Sequence, residues 1–166
     1  MQHLAQINIA RWAVDPASAE AAEFIDNLDR INGLAEQSPG FIWRLKEEQG
    51  GNAIAIPTPW GQGIIANLTV WQNLEALRHF TYKTDHLYFV KKRRAWFQEL
   101  DSPHFALWWI EADKLPDLVE AKERLDRIEA SGPTPEAFTF AKAFDPIGQP
   151  AKKRPVRGWA AELRVS

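Results

Sequence analysis

The sequence predicts an α+β domain, built as one antiparallel sheet with helices packed on one face. Three observations lead there. Period-two and period-3.6 patterns alternate along the chain, which separates strands from helices. The elements follow the order β-α-β-β-α(α)-β-α with a late extra strand, for which a single covered sheet is the natural solution. The chain has 166 residues, enough to bury a core as one domain without disulfides.

Each element has its own signal. Residues 3–11, HLAQINIAR, alternate with Ala5, Ile7 and Ile9 on one face and Leu4, Gln6, Asn8 and Ala10 on the other, hence a strand. Asp15-Pro16 offers an N-cap with proline at the first helical position, and Phe24, Ile25, Leu28, Ile31 and Leu34 recur at helical spacing over 16–37. FIWRLKE at 41–47 reads as a second strand, with Phe41, Trp43 and Leu45 sharing a side. Residues 48–63 carry four glycines and two prolines and form a long irregular connection. IIANLTVW (64–71) is a third strand. Asn73 caps a short helix over 73–80, Thr84 caps another over about 85–98, and HFALWWIE (104–111) is a fourth strand. A helix follows over 115–132, ending at Gly132, and AFTFAKAF (137–144) alternates as a fifth strand. The domain spans 1–144. Residues 145–166 read as a C-terminal arm, with Trp159 and Leu163 as its docking groups.

Composition excludes several classes of function. With no cysteine, thiol nucleophiles and thiolate metal sites are ruled out. A net charge of −2 argues against a dedicated nucleic-acid binder. No apolar run is long enough to span a bilayer and no signal peptide is visible, so the expectation is a cytoplasmic protein. Eight tryptophans are the unusual number. They read either as a rich core plus a subunit interface, or as an aromatic-lined pocket for a planar ligand.

Turned on a helical wheel, residues 85–97 place Phe89, Val90, Trp96 and Phe97 on one arc. The KKRR run (91–94) wraps most of the way round the helix, leaving Lys91, Lys92 and Arg94 on the wet side. His86 and Arg93 project from the middle of the apolar arc. Burying either costs free energy unless it is paired. One reading gives Arg93 an inward carboxylate and His86 a backbone carbonyl. The other makes both line a pocket, His86 as general base or axial ligand and Arg93 as anion clamp. Gln6 and Asn8 share a strand face that meets either that pocket or the sheet's other side. No metal site is expected, since His79 and His86 are too far apart for a shared ion. No phosphate-binding loop or nucleophile elbow is present.

The run NLTVWQNLEALRHFTYKTDHLYFVKKRRAWF, followed by PHFALWWIEAD and GPTPEAFTF, resembles the domain-of-unknown-function family 3291. LAQINIAR and FIDNLDRINGLAEQSPGFIWRL extend the resemblance over residues 3–144. The resemblance implies a ferredoxin-like sheet in a dimeric α+β barrel, in a superfamily that includes antibiotic-biosynthesis-type and haem-degrading monooxygenases. In the haem-degrading relatives an Asn on the first strand, a Trp after the third and a His on the next helix make the site. Asn8 and His86 stand at comparable places, while Phe80 falls near the position of that Trp and Trp71 matches a structural one.

The expected site therefore has His86, Asn8 and Arg93 as catalytic residues, with Gln6, Trp71, Phe80, Phe89, Trp96 and Trp108 lining a ligand pocket. The cofactor is open, with none or haem as the choices. The expected partner is a second copy of the chain, because a sheet covered on one face leaves the other bare. Function reads as a monooxygenase-like enzyme acting on a small planar or phenolic molecule, with a non-catalytic binding protein or a purely structural dimer as alternatives.

Overall fold

Ten residues of extended chain, Gln2–Arg11 (β1), form the spine of the sheet. In this computed structural model, which describes residues 1–48 and 53–152, β1 is flanked by β3 (Ile64–Trp71) and β4 (Phe105–Glu111). β2 (Phe41–Arg44) adds outside β3, giving the antiparallel order β2-β3-β1-β4. Helices α1 (Ala19–Glu36), α2 (Leu74–Lys83) and α3 (His86–Lys92) connect the strands, and α4 (Leu118–Ser131) follows β4. This is the expected α+β, ferredoxin-like topology, a pair of split β-α-β units in one sheet.

The even-numbered face of β1 lies under the first three helices. Leu4 packs with Ala35, Trp71, Leu77 and Phe80, while Ala10 joins Trp12, Ala21, Phe89, Trp96 and Phe97. The odd-numbered face, Ala5, Ile7 and Ile9, is buried with Trp108, Ala121 and Leu125. That second face is therefore covered by α4, where the sequence reading left it bare. Trp108 makes the seam by donating its indole N–H to Glu120 at 2.9 Å. The argument for a homodimer from an uncovered sheet face falls with it, because the chain supplies the cover itself.

Local chemistry adjusted several boundaries. The cap of α1 is Ser18, whose hydroxyl accepts from the Ala21 N–H, and Asp15 instead closes a turn onto the Ala17 N–H. In β2 the register shifts between Phe41 and Trp43. An extra residue flips the alternation, so Phe41 packs edge-on against Trp71 under the helices while Trp43 joins the opposite cluster. The expectation that the two share a side fails for that reason. Helix α3 stops at Lys92 and tightens into a 3-10 turn, Arg93–Ala95, short of the expected residue 98. Strand-like bonds take over: Ala13 donates to the Trp96 carbonyl and Gln98 to that of Arg11.

The expected fifth strand over 137–144 is reduced to isolated bridges, of which Phe138 against Leu107 reaches the sheet. A tight turn joining Thr134 and Ala137 precedes it, and the Trp109 indole holds the Phe144 carbonyl at 2.9 Å, so a side chain replaces the ladder. The start of the C-terminal arm, through Lys152, turns back so that Ala151 bonds Ala143. Trp159 and Leu163 lie outside the described residues.

Gly40 opens β2 with φ of +84°, and a Cβ there would meet the Ala76 Cβ at 2.5 Å. Gly40→Ala is expected to cost about 1–3 kcal/mol from the positive φ alone, with the clash added. Urea unfolding should show this as a lower midpoint at unchanged slope.

Candidate functional site

Helix α1 is long, yet only Ala21 and Ala35 on it are buried. Its apolar residues Phe24, Leu28 and Ile31 look into a cavity of about 180 Å³ between the helix and the sheet. Protein interiors rarely leave such a gap. The floor is Asn8 and Ala10 of β1 with Ile65 and Asn67 of β3; the wall opposite α1 is His86, Phe89, Val90 and Arg93, closed by Phe97. Arg44 and Leu45 stand at the β2 side, with Ala53 and Ile54 of the long connection.

His86 is the first residue of α3, fixed there because the Thr84 hydroxyl accepts its backbone N–H at 3.3 Å. Its ring leans on Phe80, centroids 4.6 Å apart. Nδ1 is buried and has no partner among the described residues. Burial pushes the imidazole below its ordinary value of 6.5, and a hydrogen bond to the Thr81 backbone only partly offsets this. His86 lines the cavity, and its Nδ1 lies enclosed beside it.

Asn8 repeats the situation. It lies opposite Asn67 in the β1–β3 register, lines the cavity, and its Oδ1 is buried without a partner. Two unpartnered polar atoms at one cavity call for a partner from a guest, because a buried polar group left unmade costs about 1–3 kcal/mol.

Arg93 enters the cavity from the 3-10 turn. It does not meet the inward carboxylate that one sequence reading supplied; its Nη1 lies 3.1 Å from His104 Nε2. A guanidinium only donates, so His104 Nε2 accepts and its Nδ1 holds the proton. Burial, and then the Arg93 charge, lower the His104 pKa; burial first, then Arg94, lower that of Arg93. The other basic residues of the run point elsewhere. Lys92 pairs with Glu23 on α1, Arg94 reaches Glu99 at 4.0 Å, and Lys91 is exposed.

Both histidines have folded pKa values below the ordinary 6.5. The unfolded chain therefore binds more protons, and stability is full above that value and declines as pH falls through it toward the folded values. Each ring contributes at most about 1.4 kcal/mol per pH unit in that window. Thermal melts from about pH 8 down to about pH 5 should show the decline, and His104→Gln should make it shallower.

Of the residues expected to line a pocket, Asn8, His86, Phe89 and Arg93 are brought together at this cavity. The other five do not line it. Gln6 is buried in a hydrogen-bond chain in which the Trp71 indole donates to Thr69 at 2.9 Å and Thr69 donates to Gln6 at 2.7 Å. Phe80 is stacked between Trp71 and His86. Trp96 is 1% exposed in the aromatic cluster of Phe24, Phe89 and Phe97, and Trp108 faces α4 across the sheet. The sequence reading passed over Asn27, Asn32, Arg44 and Asn67, and left His104 unplaced. Amides at inward helical and strand positions were the available signal for the first, second and fourth. For Arg44 the shifted β2 register was needed.

A dry cavity near 150 Å³ holds a benzene, so a space of about 180 Å³ suits one or two fused rings. Among the described residues no group of three His, Asp or Glu side chains could hold a metal ion, and no helix is long and apolar enough to cross a membrane.

The family described as "Domain of unknown function (DUF3291)" matches residues 3–154. The chain belongs to that family. No curated protein matches it in sequence. Solved structures share an outline with this DUF3291 chain. NE2512, a protein of unknown function from Nitrosomonas europaea, is 15% identical over 70% of this chain and 97% of its own, at TM-score 0.46. SnoaB, a cofactor-independent oxygenase from Streptomyces nogalater, is 19% identical over 70% of this chain and 100% of its own, at 0.41. PA3566 from Pseudomonas aeruginosa is 13% identical over 70% and 97%, at 0.43. Likeness at this level carries no argument about chemistry, which rests on the cavity.

Proposed function

We propose that the cavity takes a small planar or phenolic molecule and removes its hydroxyl proton, as the first step of monooxygenase-like chemistry. The observation that carries this reading is His86, a buried imidazole at the wall of an apolar cavity, whose Nδ1 has no partner among the described residues. The apolar walls of Phe24, Ile31, Ile65 and Phe89 stack and desolvate a ring. The hydroxyl donates to the His86 ring and passes its proton there, and the oxyanion that forms faces the guanidinium of Arg93. The phenolate then reacts with dioxygen at a ring C–H para to its oxygen. One oxygen atom becomes the second carbonyl of a quinone, and the other leaves as water with the displaced ring hydrogen and the proton held by His86.

The test is oxygen uptake with one- and two-ring phenols, read beside ligand binding, for the wild type and His86→Gln. Uptake by the wild type and binding without uptake by the variant support the reading. Binding by both with no uptake by either makes the chain a non-catalytic binder. Absence of binding by the wild type removes the reading altogether.

A further inference from the structure

Charge is distributed unevenly around the cavity. Among the described residues no Asp or Glu lines it, while two arginines do. Arg44 is already met by Glu36, Nε to Oε1 2.8 Å. Arg93 forms no ion pair among the described residues, and its close contact is the ring of His104, which is neutral because it accepts. A half-buried guanidinium whose close contact is a neutral ring has no ion-pair partner among the described residues, and the Glu99 carboxylate acts on it only from beyond ion-pair distance. An anionic group on a guest finds donors there that no carboxylate has taken.

The proton transfer to His86 brings no net negative charge. It creates an oxyanion and an imidazolium together, so the positive charge of the site is unchanged. The compensating charge must be a second group on the ligand. A guanidinium presents five N–H donors in a planar fork, and one is taken by His104, leaving donors for a carboxylate and for the neighbouring oxyanion.

Resting on the reading of the cavity as a phenol site, we propose that its ligands are aromatic hydroxy acids. The hydroxyl goes to His86, and a carboxylate on the same one- or two-ring frame goes to Arg93. His104 is the positioning residue that holds Arg93 toward the cavity. Neutral phenols then fit the walls but bring Arg93 no anion, and simple aromatic acids satisfy Arg93 but bring no hydroxyl to His86.

The experiment measures binding of four probes to the full chain by calorimetry: 2-hydroxybenzoate, its methyl ester, phenol and benzoate. The hydroxy acid is expected to bind about tenfold or more tightly than each of the other three, the worth of one charge-assisted hydrogen bond. Arg93→Gln should erase the preference for acid over ester, and His104→Phe should weaken that preference partway. Ester and acid binding equally to the wild type overturns the proposal and leaves the phenol site standing. A preference that survives Arg93→Gln also overturns it. Absence of binding by all four probes overturns both readings together. The wild-type series decides the matter even if the variants fold poorly.

Discussion

Replacing His86 by glutamine is expected to reduce turnover by about a hundred- to ten-thousandfold, the range that a positioned general base contributes. Glutamine retains a donor for the Thr81 backbone and about the same length, so the start of α3 and the cavity outline should persist. What it lacks is a lone pair that can take and hold a proton near neutral pH. The sign of the pH dependence follows from burial. In the wild type His86 is pushed below its ordinary value of 6.5, so the free protein already holds a neutral imidazole at neutral pH. The kcat/KM profile should be flat there, persist somewhat below pH 6.5, and fall only as the lowered pKa is crossed from above. The variant's residual rate should show no such limb. A variant profile that keeps the acid limb would assign it to another group, and His104 is the nearest candidate because its pKa is lowered too.

The split between what the chain declares and what it conceals follows physical lines. Strands β1, β3 and β4 were legible because their alternation is regular and both faces are buried against specific partners. Asn73 announced α2 through its own hydrogen bond to the Ala76 N–H. The inward projection of His86 and Arg93 was legible because α3 keeps its helical period through Lys92 and the 3-10 turn begins only at Arg93. The bulge in β2 was not legible, since a single extra residue leaves composition untouched while reversing every face after it. The place of α4 was equally hidden. Its apolar stripe says that it packs, but only the length and direction of the chain after Glu111 decide on which face. The tryptophans misled for a related reason. Burial and ligand lining demand the same side chains, and only the partners of the indole N–H, Thr69 for Trp71 and Glu120 for Trp108, separate the two.

Trp71 therefore supports the site from behind, and Trp71→Ala is expected to be the most damaging single change to stability. The residue is 0% exposed, stacks on Phe80 at 5.1 Å and meets Phe41 edge-on at 5.4 Å. Its removal opens a cavity worth about 3–5 kcal/mol, a large part of the roughly 5–15 kcal/mol that holds a domain of this size together. It also leaves the Thr69 hydroxyl, which accepts from the indole and donates to Gln6, short of one partner. Phe80 would relax into the vacated space and take away the surface on which the His86 ring leans. Chemical denaturation should show the loss of stability, and ligand affinity should fall even where the protein remains folded. Trp71→Phe separates the two contributions. It restores most of the packing against Phe80 and Phe41 but not the indole N–H, so it should recover the larger share of stability and nearly all of the binding. A Trp71→Phe protein that is stable yet loses its ligand would return Trp71 to the lining of the cavity and move the ligand toward α2, away from the sheet floor at Asn8.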